Sequence, residues 1–189
     1  MKPFGRTILS SSRKLNVPLI AQQEEFWCVP ACIKMVLEYL NNSGMLKIPA
    51  PSLGLQQIAR IVKTQDGTAA HDVPAINEWL EDVVPSLEFE DEYRTRRVSE
   101  IEAELDAKRP CIPWMFVTDG IHRGFHAVVI TDINVQANQI TYNDPGPPRE
   151  TTQALSAFEV QWSMGQTNLL KVQIGRNTRT TLPQFGVQP

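Results

Sequence analysis

The apolar residues of this chain change their spacing at Pro110, and this change constrains the possible folds more than any other feature of the sequence. Before Pro110, apolar residues recur at the three- and four-residue spacing of amphipathic helices. After it, they form short continuous runs bounded by turn residues, which is the pattern of buried strands. We therefore expect an α+β domain in which an N-terminal helical half packs on a C-terminal antiparallel β-sheet, with a cleft between the halves.

The helical spacing before Pro110 predicts four helices. They begin near Pro30, near Leu55, at Asp72-Val73-Pro74 and near Glu100. Ser99 and Glu102 have the spacing of a capping box for the last of these helices. A brief strand is expected at residues 87–90, where apolar and acidic residues alternate.

The apolar runs after Pro110 predict strands at residues 111–117, 125–133, 139–143 and 169–174, and a short helix at 155–162. Only a short polar loop, residues 134–138, separates the second run from the third. These two are therefore expected to form one antiparallel hairpin.

The 189 residues, of which 42% are hydrophobic and 21% charged, are typical of one globular domain with a substantial core. We expect residues 1–16 to be a polar lead-in, residues 17–175 the folded domain, and residues 176–189 a flexible polar tail.

The charges of the chain exclude some classes of partner. The formal net charge is -3, and the lysines and arginines are scattered, so no nucleic-acid partner is expected. The sequence has no apolar run long enough for a secretory signal or a membrane span, so no membrane insertion is expected. Three cysteines are too few to cross-link the domain, which favours a reduced, cytoplasmic location where the protein is made. An effector exported without a cleaved signal peptide would have the same sequence pattern.

The thiol best placed for chemistry is Cys28, at the predicted start of the first helix. Pro30 marks this start, because a proline is tolerated where the backbone N–H has no helical partner. The free N–H groups and the positive end of the helix dipole favour a nucleophilic thiolate. A free cysteine is more often a small buried hydrophobic residue, and this is the interpretation that we give to Cys32.

His126 and Asp144 lie at neighbouring ends of the predicted hairpin, so the carboxylate could orient the imidazole as a base for the thiol. Asn143 is the rival for the orienting role. His122, in a polar loop, is the nearer competitor as base, and His71 is a weaker one. Each residue also has an ordinary structural explanation, such as a packed histidine or a plain turn; it is their combination that favours catalysis.

A glutamine upstream of the thiol completes the set of candidates. A side-chain amide, together with the backbone N–H of the nucleophile, can stabilise the oxyanion of acyl transfer, and Gln22 is placed for this role. Gln23 is the alternative donor, and either glutamine could instead be a solvated surface residue. Cys28 and Cys32 have no second ligand pair at zinc-site spacing, so neither a metal nor another cofactor is expected.

Four segments together resemble the papain-like cysteine peptidases, most closely the bacteriocin-leader-processing branch, cysteine peptidase family 39, and its freestanding relatives. They are Gln22, Cys28-Val29-Pro30-Ala31, His126-Ala127-Val128-Val129-Ile130 and Tyr142-Asn143-Asp144-Pro145. The resemblance implies a papain-like fold with Cys28 as nucleophile, His126 as base, Asp144 as its orienting group and Gln22 in the oxyanion hole. Val29 stands where the family usually has glycine. The membrane and ATP-binding domains of its transporter-linked members have no counterpart here, so the resemblance does not extend to leader cleavage during export.

The expected function is that of a cysteine endopeptidase acting on a peptide or protein through a thioester intermediate. A glutamine deamidase or transglutaminase could use the same residues, and a non-catalytic peptide-binding module is a third possibility. Trp27, Trp114 and residues 119–124 are expected to form the cleft walls. The sequence does not predict the oligomeric state.

Overall fold

The computed structural model describes residues 14–68, 73–92, 97–119 and 122–175. Within these ranges the helices are α1 (Cys28–Asn42), α2 (Leu55–Ile61), α3 (Pro74–Val83), α4 (Val98–Asp106) and α5 (Leu155–Met164). The strands are β1 (Leu87–Glu92), β2 (Ile112–Asp119), β3 (His122–Ala127), β4 (Val129–Asn134), β5 (Gln139–Pro145), β6 (Pro148–Ala154) and β7 (Leu169–Ile174). The α+β class is confirmed, with most helices in the first half and most strands in the second. Most of the lead-in, His71, Asp72 and the polar tail lie outside the described residues.

The strands form two antiparallel sheets where the sequence suggested one. Four strands pair in the order β1-β7-β2-β3, and three pair in the order β4-β5-β6. A backbone hydrogen bond of 2.9 Å from Ile130 N to Cys111 O joins the two sheets. The predicted single strand over residues 125–133 is wrong, because the chain leaves the first sheet after Ala127 and enters the second at Val129. Val128 between them is fully buried, so the apolar pattern continues unbroken across the junction.

Helix α1 is the central helix of the domain. It begins at Cys28, as predicted, and Pro30 is its third residue, where a backbone N–H would have no helical acceptor. The predicted apolar stripe is buried, with Ile33, Val36 and Leu40 fully so. Cys32 and Met35 are also fully buried on other faces of the helix, so α1 is surrounded by the rest of the core.

The predicted capping box at the start of α4 is wrong. The helix begins at Val98 with Arg97 as its N-cap, and it has no side-chain cap hydrogen bond. Ser99 therefore lies inside the helix and cannot form the predicted capping box with Glu102. The helix is held in place by the burial of Ile101 and Leu105, which lie one turn apart, and not by a polar cap.

Strand β6 was not predicted, because its sequence Pro-Arg-Glu-Thr-Thr-Gln-Ala is polar and mostly exposed. It pairs with β5 over its full length, from Pro145↔Pro148 to Gln139↔Ala154. The connecting turn contains Gly146 and Pro147, joined by a cis peptide bond. Backbone pairing with β5 orders this edge strand without a large apolar face of its own.

The segment before α1 packs along the second sheet and leads the chain to the candidate site. Leu15 and Val17 are buried, and Leu15 N donates to Thr131 O at 2.8 Å. Farther along, Gln22 N donates to Pro145 O at 3.0 Å. The chain entering α1 is therefore attached to the end of β5. No helix in the described ranges has the length and apolar character of a membrane span.

Candidate active site

An open cavity of about 610 Å³ lies between the start of α1 and the first sheet. Helix α1 and the residues before it contribute one wall, and strands β2 and β3 contribute another. Two loops complete the lining. The lining residues are Glu25, Phe26, Cys28, Val29, Asp66, Gly67, Thr68, Trp114, Gly124, Phe125, His126, Gln166 and Asn168.

Cys28 lies in this cavity as the first residue of α1, and its side chain is partly exposed. Helix α1 has Trp27 as its N-cap and no side-chain cap hydrogen bond. The backbone N–H groups of a first helical turn have no intrahelical acceptors and carry the positive end of the helix dipole. A negative charge that develops beside Cys28 is therefore stabilised by the start of the helix.

His126 lies in the same cavity and is hydrogen-bonded to Asp144. The distance from His126 Nε2 to Asp144 Oδ1 is 2.8 Å, and the two side chains are only 15% and 12% exposed. The sequence predicted that both residues lie on one antiparallel hairpin, and this prediction is wrong. His126 is on β3, opposite Met115 of β2, whereas Asp144 is on β5 in the other sheet. The change of sheet at Val128 brings the two side chains together.

The hydrogen bond to Asp144 decides how His126 can act. It occupies Nε2 and leaves Nδ1 for the sulfur of Cys28. Burial alone would lower the pKa of His126, but the interactions with Asp144 and Cys28 outweigh it and raise the pKa from 6.5 to about 9. An imidazole with this pKa holds a proton at neutral pH when a thiolate and a carboxylate are its neighbours.

The structure separates the rival residues from this pair. Asn143 is buried, and its Nδ2 donates to Val17 O at 2.9 Å, so Asp144 alone of the two bonds to His126. His122 is at the opposite end of β3, opposite Asp119. His71 lies outside the described residues.

The other two cysteines are fully buried in the core. Burial is the largest cause of the raised pKa of the Cys32 thiol, followed by the charges of Cys28 and Asp144. Burial also raises the pKa of Cys111. Both groups are therefore un-ionised at neutral pH, and Cys28 is the accessible thiol. Within the described ranges, no three His, Cys, Asp or Glu side chains are grouped as a metal site would require.

Gln22 is partly buried beside the chain that enters α1, whereas Gln23 is exposed. The side-chain Nε2 of Gln22 donates to Glu25 O at 2.7 Å and to Glu24 O at 3.1 Å. Its Oε1 is buried and has no hydrogen-bond partner. Two nearby carbonyl acceptors fix which end of the amide is nitrogen, because the reverse orientation would place three oxygens together.

Only part of the cavity wall was predictable from the sequence. Trp114 and Gly124 line it as expected, but Phe26 replaces Trp27, and Gly120 and Ile121 lie outside the described residues. The loops that contain Asp66 and Asn168 were missed, because no local pattern distinguishes a loop that faces a cavity from an ordinary one. Phe26 and Phe125 are 43% and 59% exposed. Large exposed aromatic side chains of this kind could have drawn attention to a binding surface.

The arrangement combines an accessible thiol at a helix start, an imidazole in the same cavity and a carboxylate that orients the imidazole. These are the parts needed for a thiol to attack a carbonyl and for a proton to reach the leaving group.

Comparison with known proteins adds evidence of family. No curated protein matches the chain. The model of the Peptidase C39 like family matches residues 14–168, which include the whole cavity lining and all four candidate residues. This match confirms the resemblance found in the sequence. The chain therefore belongs to the Peptidase C39 like family, a family of papain-like cysteine peptidases.

Proposed function

We propose that this protein is a cysteine endopeptidase in which Cys28 is the nucleophile, His126 the proton carrier and Asp144 the group that orients His126. Family membership supports a cysteine peptidase in general. The observation that carries the residue assignment is the placement of Cys28 and His126 in one cavity, with Nε2 of His126 bonded to Asp144 at 2.8 Å.

In the proposed acylation step, the thiolate of Cys28 attacks the carbonyl carbon of a peptide bond and a tetrahedral oxyanion forms. The C–N bond then breaks, and the proton held by His126 passes to the departing amine. A thioester to Cys28 remains. In deacylation, His126 takes a proton from water as the water attacks the thioester. The C–S bond then breaks, the carboxylic acid leaves, and the Cys28 thiolate and protonated His126 are restored.

The oxyanion needs hydrogen-bond donors. The backbone N–H of Cys28 is one candidate, and the side-chain amide of Gln22 is the other. Since both Gln22 N–H groups already have carbonyl acceptors, the oxyanion would replace the longer bond, 3.1 Å to Glu24 O. Such donors stabilise the transition state by about 2.7–4 kcal/mol each.

The cavity wall supports a peptide substrate with an apolar side chain near the scissile bond. Phe26, Trp114 and Phe125 supply an aromatic surface beside Cys28 and His126. Among the described lining residues, Glu25 and Asp66 are acidic and none is lysine or arginine. This charge disfavours acidic peptides.

The proposal can be tested by incubating the full chain with mixtures of neutral, basic and acidic peptides and analysing the products by mass spectrometry. We expect new peptide termini next to apolar residues in the neutral and basic sets. The mass change of deamidation in intact peptides would instead identify a glutamine deamidase acting through the same thiol. Binding without any product would contradict the catalytic proposal and favour a peptide-binding module.

The raised pKa of His126 predicts how the activity depends on pH. Because His126 must be protonated to assist the leaving amine, kcat/KM should fall as the pH rises through about 9. The interaction that raises this pKa also stabilises the fold below about pH 6.5, and this contribution is lost as the pH rises through about 9.

Asp144→Asn should move this basic limb to lower pH, because it removes a carboxylate that raises the pKa of His126. At neutral pH the rate should fall by about 10- to 100-fold, the effect of losing a charged hydrogen bond of about 1.5–3 kcal/mol. Initial rates of peptide hydrolysis across the pH range measure both effects. A basic limb that stays in place in the variant would show that Asp144 does not act through His126.

A further inference from the structure

Gly146, in the turn between β5 and β6, lies against the side chain of Gln22. A Cβ atom built on Gly146 would be 2.6 Å from both Cδ and Oε1 of Gln22 and 3.1 Å from Nε2. We propose that Gly146 is a positioning residue for the peptidase reaction: its missing side chain leaves the space in which the Gln22 amide is held beside the nucleophile segment. This inference rests on the proposed function, in which Gln22 contributes to the oxyanion hole.

The backbone conformation does not explain a glycine at this position. The positive-φ glycines of the described residues are Gly44, Gly67 and Gly175. Gly146 is not among them, so an L-residue could adopt its φ angle. The close approach of the Gln22 amide is therefore the feature that distinguishes this position.

Gln22 links two parts of the candidate site. Its side-chain Nε2 donates to the carbonyls of Glu24 and Glu25, in the segment that leads to Cys28. The backbone N–H of Gln22 donates to Pro145 O at 3.0 Å, directly before Gly146. The other end of the side-chain amide, Oε1, is buried and has no hydrogen-bond partner. The amide is therefore held by the hydrogen bonds of Nε2 and by its contact with Gly146.

Gly146 also contacts the opposite end of the site through its backbone. Its N–H donates to Asp144 Oδ1 at 2.9 Å, and His126 Nε2 bonds to the same oxygen at 2.8 Å. An alanine at position 146 keeps this N–H. Gly146→Ala therefore perturbs the Gln22 amide while leaving the donor to Asp144 in place.

The consequence of this substitution can be predicted from what the new Cβ meets. The nearest atoms belong to the end of a flexible side chain and not to the backbone, so Gln22 can move aside at little cost to the fold. Once displaced, the amide can no longer donate at its present position. We therefore expect a loss in kcat with little change in KM or in the thermal midpoint.

A double-mutant cycle tests the inference on the full chain, with a peptide that the wild type cleaves. Gly146→Ala should lower kcat by about tenfold or more, and Gln22→Ala by about 10²-fold, the effect of removing one oxyanion donor. In the Gln22→Ala background, adding Gly146→Ala should change kcat by less than about threefold, because the side chain that it displaces is already absent. The basic limb of the pH profile should stay in place in Gly146→Ala, since the Asp144 contacts are kept.

Gly54→Ala is the matched control, because a Cβ on Gly54 also meets a glutamine oxygen, Gln57 Oε1, but at 3.5 Å and outside the cavity lining. Its kcat should equal that of the wild type. The inference would be overturned if the losses in kcat of Gly146→Ala and Gln22→Ala multiplied in the double variant. It would also be overturned if Gly146→Ala were as active as the wild type. Absence of cleavage by the wild type itself would instead refute the proposed function, so the two failures are distinguishable.

Discussion

Replacing Cys28 by alanine is expected to abolish peptide hydrolysis while leaving the fold intact. The proposed mechanism has no covalent intermediate without this sulfur, and removal of a nucleophile of this type costs about 10⁶-fold in kcat. The side chain is partly exposed at the start of α1, so its loss creates no buried cavity. Initial rates of peptide hydrolysis, together with the thermal midpoint of each protein, measure both parts of this prediction.

Cys111→Ala is a useful comparison, since this thiol is fully buried and outside the cavity lining. It should lower stability but retain kcat in the protein that remains folded, because removing the buried sulfur leaves a small cavity in the core. If Cys28→Ala kept even a tenth of the wild-type rate, Cys28 could not be the nucleophile.

Replacing His126 by alanine has the second largest expected effect. Peptide hydrolysis should fall by about 10²- to 10⁴-fold, the range for loss of a general acid–base residue. The variant also leaves the Asp144 carboxylate without its imidazole partner in a mostly buried position. Thermal unfolding should therefore be measured beside the rate, so that loss of folded protein is not mistaken for loss of chemistry.

His122→Ala is the matched control for this experiment, because the sequence alone left His122 as the competing base. It lies on the same strand, β3, at the opposite end of the strand from His126. We expect nearly wild-type kcat for His122→Ala. A greater loss of activity in His122→Ala than in His126→Ala would show that His122, and not His126, is the base.

The features of the fold that were predictable are those with a local sequence signal. The apolar spacing after Cys28 places the start and buried face of α1, and Val73-Pro74 marks the start of α3. The change of pattern at Pro110 gives the order of helices and strands. These signals depend on periodicity and on proline, which act within a few residues of the element they shape.

The features that were not predictable depend on contacts between distant residues. The run through Val128 is equally apolar in both sheets, so it cannot show where the chain changes sheet. Strand β6 is ordered by pairing with β5 and has no large apolar face. His126 and Asp144 were expected together for the wrong reason, a shared hairpin, when the junction between sheets brings them into contact.

Gly146 shows the same limit within the candidate site. In the sequence, Asp144-Pro145-Gly146 has the composition of an ordinary turn. Its contact with Gln22, more than a hundred positions earlier in the chain, is visible only once the lead-in segment is placed against the end of β5.

The rate at which each cysteine reacts with iodoacetamide in the native protein tests the central claim most directly. At pH 7, with the modified residues identified by mass spectrometry, Cys28 should react about tenfold faster than a free cysteine peptide. Cys32 and Cys111, which are fully buried, should remain unlabelled. The excess reactivity should disappear in His126→Ala. A Cys28 that reacts no faster than the free peptide, at the same rate with and without His126, would contradict the account.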